Sequence, residues 1–185
     1  MKELSLNILD IAENSVKAKA SEILISIIED DETLSFIVTD NGVGMDEEFL
    51  KNVTNPFTTT RTTRSVGLGI PLLKMMSEQT GGSFHIKSRC IKDFPDSHGT
   101  ETSATFYKKH IDFVPLGNII ETVITLVQGN PEIDFAFTHK VRENLVILDT
   151  KELKNVLGDV PLNNVEVILW IKEYLNEQYN SCNLT

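Results

Sequence analysis

"DNGVGMDEE", residues 40–48, follows the apolar run "TLSFIVT" and decides how the first half of the chain is interpreted. One interpretation is a simple turn, because Asn41-Gly42 is among the strongest turn dipeptides and Asp40 can cap it. The other is a ligand site, in which Gly42 and Gly44 let the backbone approach a flat ring while Asp40 accepts a hydrogen bond from the ligand. The second interpretation requires partner motifs elsewhere in the chain.

Composition restricts the class of protein. The 185 residues suit one domain, or one domain with a small appendage. A net charge of −10 argues against non-specific binding to nucleic acid and against an anionic membrane surface. The two cysteines, Cys90 and Cys182, lie far apart and fit neither a disulfide scaffold nor a zinc site.

The N-terminus does not resemble a signal peptide, and no apolar stretch approaches the roughly 18 residues that span a bilayer. We therefore expect a soluble, cytoplasmic protein.

Apolar spacing predicts alternating helices and strands in the first part of the chain. Leu4, Ile8 and Ile11 recur at helical spacing over residues 3–17, and "EILISIIED" alternates as a half-buried strand does. The further predicted elements are a returning strand at 34–40, a helix at 47–53 capped by Asp46, a threonine-rich loop at 54–66, a helix at 67–82 bounded by glycines, and strands at 83–88 and 100–108.

A boundary is predicted near His110. Beyond it the pattern predicts a small α+β subdomain, with a helix at 116–128, strands at 133–139 and 144–149, a short helix from Lys151 and a closing helix at about 163–178.

The first helix carries polar residues with a chemical interpretation. Asp10 and Asn14 are four residues apart and project from the same helix face. A carboxylate that can polarise water, beside an amide oxygen that can bind a hard cation, suits metal-assisted phosphate chemistry. The alternative is an ordinary solvated face. Met45 offers soft apolar surface to a flat ring.

Two further motifs are weak when considered alone. "VGLGIPLLK" places Gly67 and Gly69 at a helix N-terminus, where free backbone N–H groups and the helix dipole favour phosphate. The sequence satisfies neither GxGxxG nor GxxxxGK[ST] there. "HGT" at 98–100 opens the last strand of the first part, and the hydroxyl of Thr100 can reach a base edge or a water.

Taken in order, these motifs resemble the ATP-binding domain of the GHKL superfamily, which comprises gyrase B subunits, Hsp90 chaperones, histidine kinases and MutL-type proteins. "ENSVKAKASEI" resembles the N box, "DNGVGM" the G1 box, "NPFTTTR" the F box and the start of the ATP lid, "VGLGIPLLK" the G2 box and "HGTETSATF" the G3 box. The resemblance covers residues 1–109 and implies an α+β Bergerat fold, a two-layer sandwich with helices on one face of a mixed sheet. Residues 110–185 would form a small α+β subdomain.

The resemblance also implies roles by position. Asp40 would hold the adenine amine, with Gly44 and Thr100 completing that end, and Asn14 would bind Mg²⁺ on the phosphates. The residues expected to contact the phosphates are Gly67, Leu68 and Gly69, through their amides, and Arg61 and Arg64 in the lid. Lys140 and Arg142, after a predicted strand, are a further pair that could reach a phosphate.

The position of Asp10 leaves the activity open. Hydrolytic members and serine kinases of the superfamily carry a Glu there as general base, whereas histidine kinases typically lack the acid. Three hypotheses follow: Mg-ATP-dependent phosphotransfer to, or regulation of, a separate protein; a slow ATPase switch with Asp10 as the base; and a non-catalytic, nucleotide-dependent binding module. None of the four histidines has the helical context of a phosphoacceptor, so a separate partner protein is expected, and a homodimer is possible.

Overall fold

The computed structural model describes residues 3–55 and 69–182, which form six strands and six helices. The strands are β1 (Glu22–Glu29), β2 (Thr33–Asp40), β3 (Ser83–Arg89), β4 (Gly99–Tyr107), β5 (Asp134–Val141) and β6 (Asn144–Asp149). The helices are α1 (Leu4–Lys17), α2 (Glu47–Asn52), α3 (Gly69–Gln79), α4 (Ile119–Gly129), α5 (Thr150–Leu157) and α6 (Val165–Ser181). None of these described helices is long and apolar enough to cross a membrane.

The strands form one mixed sheet in the order β3-β4-β2-β1-β5-β6. Every neighbouring pair is antiparallel except β1 and β5, which run parallel. The register places Asp40 opposite Ile23 on one side and opposite Thr100 on the other. The end of β2 and the starts of β1 and β4 therefore meet at one end of the sheet.

The core lies between one face of this sheet and the helices. Alternate residues of β1, Ile23, Ile25 and Ile27, are buried, as a period of two predicts for a sheet covered on one side. Leu4 and Ile8 of α1 are fully buried against that face. On the opposite face the structure leaves several large apolar side chains 36–54% exposed: Leu24, Ile28, Ile37, Leu145 and Ile147. The predicted α+β architecture, with a mixed sheet and helices on one face, is confirmed.

Two helices begin later than the apolar pattern predicts, and their caps explain why. Gly117 has a φ of +76°, and the Asn118 side chain accepts a hydrogen bond from Glu121 N at 3.1 Å, so α4 starts at Ile119. Asn164 caps α6 in the same way. The division of the chain near residue 110 stays a prediction; β5 and β6 lie in the same sheet as the first four strands.

Candidate functional site

The carboxylate of Asp40 is held by two short hydrogen bonds at the end of β2. Its Oδ2 accepts from Ser15 Oγ of α1 at 2.6 Å, and its Oδ1 accepts from the backbone N–H of Gly42 at 2.8 Å. The residue is only 8% exposed, and Ser15 is 4% exposed. Because each carboxylate oxygen can accept two hydrogen bonds, Asp40 keeps acceptor capacity for a further donor in an oriented position.

The loop after Asp40 lies so close to neighbouring backbone that it requires glycine. Gly44 has a φ of +67°, and a Cβ there would stand 1.9 Å from the carbonyl oxygen of Arg89. A Cβ on Gly42 would lie 2.8 Å from both the Cβ and the carbonyl oxygen of Ala18. Asn41 fixes the turn, since its Oδ1 accepts from the backbone N–H groups of Ser21 and Glu22. The turn interpretation of "DNGVGM" holds, and its glycines are required by close packing against Ala18 and Arg89; the ligand-site interpretation stays a prediction.

Thr100 lies beside Asp40 through the register of β2 and β4. Its Oγ1 is 2.8 Å from Ser88 Oγ, which also accepts from the backbone N–H of Met45 at 2.8 Å. Gly99 precedes it because a Cβ at that position would stand 2.0 Å from the carbonyl oxygen of Asp40. Close packing next to the carboxylate therefore requires the glycine of "GT". The backbone of Met45 is hydrogen-bonded to the same cluster through Ser88.

Asp10 and Asn14 precede Ser15 on α1, and Asp10 lies against the start of α3. A Cβ on Gly69, the first residue of α3, would lie 3.4 Å from Asp10 Cβ and 3.5 Å from Asp10 Oδ2. Asp10 is exposed and Asn14 is half-buried. Since residues four apart share a helix face, both side chains are directed to the side of α1 that Gly69 approaches. The structure therefore places Asp10 against Gly69 at the start of α3, and Asn14 lies one turn further along the same face of α1.

These residues fit a hard cation and a nucleotide by their chemistry. Asn14 and Asp10 supply amide and carboxylate oxygens, the ligand types that Mg²⁺ prefers. Among the described residues no side chain hydrogen-bonds to the Asn14 amide. We keep the binding roles of all these residues as predictions.

Two residues that position the site were not identified from the sequence. Ser15 bonds the Asp40 carboxylate across 25 residues of sequence, and His98 Nδ1 lies 2.6 Å from the carbonyl oxygen of Gly42 across 56 residues. Because a carbonyl only accepts, Nδ1 of His98 carries the proton and donates. No periodic pattern in the sequence predicts that a serine or a histidine makes such a contact. The position of His98 directly before "GT" is the only signal that the sequence offers.

The remaining predicted residues divide into two groups. Arg61, Arg64, Gly67 and Leu68 lie outside the described residues. Lys140 pairs with Ile28, which lies five residues along β1 from Ile23, the partner of Asp40, so these two positions are about 17 Å apart. Arg142 forms an ion pair with Asp31 of the β1–β2 turn. That these two residues reach a phosphate stays a prediction.

Comparison with known proteins agrees with this geometry. Residues 2–110 match the family described as "Histidine kinase-, DNA gyrase B-, and HSP90-like ATPase". The match covers more than half of the chain, so the protein belongs to this family and contains a histidine-kinase-like ATP-binding domain. The resemblance drawn from the motifs is thereby confirmed.

Individual relatives match over parts of their length. A protein of Rickettsia conorii (strain ATCC VR-613 / Malish 7), whose name describes it as a sensor histidine kinase like NtrY, is 32% identical over 88 residues, which are 47% of this chain and 14% of that protein. The N-terminal domain of a DNA repair protein superposes with a TM-score of 0.54 at 16% identity, over 86% of this chain and 58% of that one, which supports the fold alone. The Aquifex aeolicus MutL ATPase domain complexed with ADP gives 0.49 at 16% identity, over 85% and 69% of the two chains.

Proposed function

We propose that this protein binds Mg-ATP at the Asp40 end of the sheet and transfers the γ-phosphoryl group to, or regulates, a separate partner protein. The observation that carries the proposal is the Asp40 carboxylate, buried and oriented by Ser15 and Gly42 beside Thr100. The name of the Rickettsia relative, a sensor histidine kinase, favours phosphotransfer over other uses of the nucleotide. A cytoplasmic location and a homodimer belong to the same proposal.

Adenine recognition follows from the acceptor capacity of Asp40. An exocyclic amine donates two hydrogen bonds and finds an oriented, desolvated acceptor here, where a charge-assisted bond is stronger than in water. Gly44 keeps the loop close to the backbone of Arg89, and Met45 would cover the ring with soft apolar surface. The hydroxyl of Thr100 can bind a ring nitrogen directly or through a water.

The phosphate end of the proposal rests on α1 and α3. Asn14 would bind Mg²⁺. Asp10, four residues earlier on the same helix face, could bind the metal as well or polarise a water. A bound Mg²⁺ would supply positive charge that offsets the charge of the phosphates. Gly69 begins an 11-residue helix, and its N-terminus contributes N–H groups and a favourable dipole for an anion. In phosphotransfer the bond from Pγ to the β–γ bridging oxygen breaks, a bond to the acceptor side chain forms, and ADP is released.

The second candidate function is a slow ATPase switch. It is favoured by the exposed carboxylate of Asp10, which lies against the start of α3 on the face shared with Asn14. Such a carboxylate can take a proton from water that attacks Pγ, provided that water reaches it. A binding module without turnover is the third candidate.

One experiment separates these candidates. The full chain is incubated with Mg²⁺ and γ-labelled ATP, and free phosphate and protein-bound label are followed together with ATP affinity. Asp40→Asn should weaken ATP affinity by at least about tenfold, because an amide offers a donor where the amine needs an acceptor. Unchanged affinity would refute the adenine assignment.

The same assay distinguishes the roles of Asp10. If the chain releases phosphate and Asp10→Asn abolishes that release while Glu13→Gln on the same helix does not, the ATPase switch is favoured. Phosphate release that survives Asp10→Asn would refute its role as general base. ATP binding without either product leaves two candidates, a chemistry that requires the partner protein and a binding module without turnover, and addition of candidate receiver proteins separates them.

A further inference from the structure

The two edges of the sheet differ in how their backbone is covered. Edge strand β6 is covered by Gln178 of α6, whose side chain accepts from the backbone N–H of Ile147 at 3.0 Å and donates to its carbonyl oxygen at 2.9 Å. This amide occupies the place of a neighbouring strand, and such cover keeps an edge from pairing with another chain. Edge strand β3 has β4 on one side and no described strand on the other.

The register shows which backbone groups β3 presents at its outer edge. The backbone N–H of Lys108 donates to the carbonyl oxygen of Glu32 at 2.8 Å, so even-numbered residues of β4 bond β2 and odd-numbered residues bond β3. The odd-numbered residues of β3 therefore bond β4. The N–H and C=O groups of Phe84, Ile86 and Ser88 point away from β4. Among the described residues, no group hydrogen-bonds to these outward N–H and C=O groups.

Strand β3 is a basic segment of an acidic chain. The chain has 27 acidic and 17 basic residues, but residues 79–92 contain no acid and three basic residues. Two of these, Lys87 and Arg89, are exposed on β3. Lys87 Nζ lies 3.4 Å from Glu101 Oε1 of β4, but the two side chains are 80% and 45% exposed. An exposed pair of this kind contributes little, so Lys87 remains able to pair with another acid.

The two faces of β3 differ in chemistry. Phe84 lies in register with the buried Phe36 of β2, on the side of the helices. His85 lies in register with Ile37 of β2, on the opposite face. Successive side chains of a strand alternate between faces, so the even-numbered residues of β3 face the helices and its basic residues face away. A strand added at this edge would place every second side chain beside Phe84 and Ile86, and the others beside the basic residues.

A second copy of β3 does not suit this edge. Antiparallel pairing of two β3 strands would bring His85, Lys87 and Arg89 of one copy beside the same residues of the other. Like charges on facing strands are destabilising, whereas opposite charges stabilise the pair. The charges of β3 therefore oppose self-association and favour an acidic strand.

We propose that the edge of β3 binds an extended segment of a partner protein in which acidic and apolar residues alternate. The backbone of the segment pairs with the three outward-facing residues, its acids lie beside Lys87 and Arg89, and its apolar side chains lie on the side of the helices. Because Ser88 pairs with Thr100, which pairs with Asp40, the bound segment lies about 14 Å from Asp40. The proposal does not depend on nucleotide binding.

The probe is an end-blocked peptide as long as β3, seven residues, in which glutamate and valine alternate. It is titrated into the full chain, and a peptide with lysine in place of each glutamate is the matched comparison. We expect the glutamate peptide to bind at least about tenfold more tightly than the lysine peptide. Amide hydrogen exchange locates the site: the amides of Phe84 and Ile86 should exchange freely in the free chain and gain protection when the peptide binds. Those of His85 and Lys87 are already bonded to β4 and should change less.

Charge reversal on the protein tests the partner's chemistry. Lys87→Glu should weaken binding of the glutamate peptide by about fivefold, because an attractive cross-strand pair becomes a repulsive one. Lys140→Glu is the matched control: Lys140 is exposed on β5, four strands from β3, and its reversal should leave binding unchanged.

Peptide variants keep the test decisive if a protein variant fails to fold. A bound strand turns only every second N–H toward β3, so N-methylation of the valines and N-methylation of the glutamates should weaken binding unequally. Equal losses would overturn the proposal. It is also overturned if the glutamate peptide does not bind at millimolar concentration, if the lysine peptide binds as tightly, or if the bound peptide leaves the amides of Phe84 and Ile86 unprotected.

Discussion

At the scale of single residues, the candidate nucleotide site depends on how one carboxylate is oriented. Asp40 is buried, so its direction is set by the donors that reach it and not by solvent. Ser15 supplies one of the two, through a 2.6 Å hydrogen bond from a fully packed position on α1. A hydrogen bond to a charged group contributes about 1.5–3 kcal/mol, and part of that is expected to appear in ligand affinity.

We therefore predict that Ser15→Ala lowers ATP affinity by about tenfold, which is about 1.4 kcal/mol, because the Asp40 carboxylate loses its second fixed donor. The measurement is titration calorimetry with Mg-ATP. Ser5→Ala is the matched control: Ser5 is also buried on α1, but its hydroxyl bonds Glu3 and not Asp40. Equal losses in the two variants would show a general effect on the helix and would contradict the positioning role.

Gly44 gives a second prediction at this scale. Gly44→Ala should lower the free energy of unfolding by more than the 1–3 kcal/mol that left-handed backbone alone costs, because its Cβ meets the Arg89 carbonyl at 1.9 Å. Gly81→Ala is the control, since Gly81 also has a positive φ, +79°, and the nearest atom to its Cβ lies at 3.8 Å, an ordinary contact distance. Urea unfolding of both variants isolates the clash. A loss no larger at Gly44 than at Gly81 would mean that the loop shifts freely.

At the scale of elements, a helix or strand could be predicted from the sequence where its contacts are local, and its pairing could not be predicted where the partner lies far away along the chain. The apolar period predicts α1, β1 and β2, because these elements present one face to a nearby partner. The start of α4 was predicted three residues early, since the cap by Asn118 depends on the φ of Gly117 and not on hydrophobicity. The parallel pairing of β1 with β5 joins segments more than a hundred residues apart, so no local pattern specifies it.

The same distinction holds for the candidate site. Asp40 and Gly44 could be selected from "DNGVGM" because a turn and a close backbone approach both have local signatures. Ser15 and His98 could not, because their contacts arise only when α1 and the start of β4 come to the end of β2. Prediction from one sequence thus finds residues that shape the local backbone. It misses residues that orient the site from distant parts of the chain.

Glu29 joins three elements and gives a prediction about pH. It lies at the end of β1, pairs with Lys108 just after β4, and lies 3.6 Å from His139 of β5. These neighbours lower its pKa below the usual 4.5, so its contribution to stability is present above about pH 4.5 and is lost as the pH falls through the lowered pKa. Glu29→Gln should cost about 1 kcal/mol at pH 7, since the carboxylate is partly exposed and screened.

Urea unfolding of both chains between pH 7 and pH 3 measures this effect. The difference in free energy of unfolding should stay constant down to about pH 5 and shrink below it, because the protonated glutamic acid resembles glutamine. Glu47→Gln, in an exposed pair with Lys51, serves as the control and should produce a smaller difference at pH 7. A Glu29 difference that grew on acidification would contradict the assigned sign.

At the scale of the whole molecule, the question is whether the part after residue 110 behaves as a separate unit. The family match ends at residue 110, whereas the sheet continues through β5 and β6. Phe137 of β5 pairs with Ile25 of β1, and both are buried in the shared core with Ile171 of α6. A shared core makes a single cooperative transition the expected behaviour. The only tryptophan, Trp170 on α6, reports on the C-terminal part by itself.

We predict that urea unfolding followed by Trp170 fluorescence and by far-UV circular dichroism gives one midpoint, and that Mg-ATP moves both together. At a hundred times its dissociation constant, a ligand that binds only the folded state stabilises it by about 2.7 kcal/mol. The nucleotide would bind at the end of β2, three strands along the sheet from β6, which α6 contacts, so its stabilisation reaches the tryptophan only if the sheet unfolds as one unit. If Mg-ATP shifted the circular dichroism and left the fluorescence midpoint in place, residues 110–185 would be an independent subdomain, and the sheet between β1 and β5 would be the surface at which the two separate.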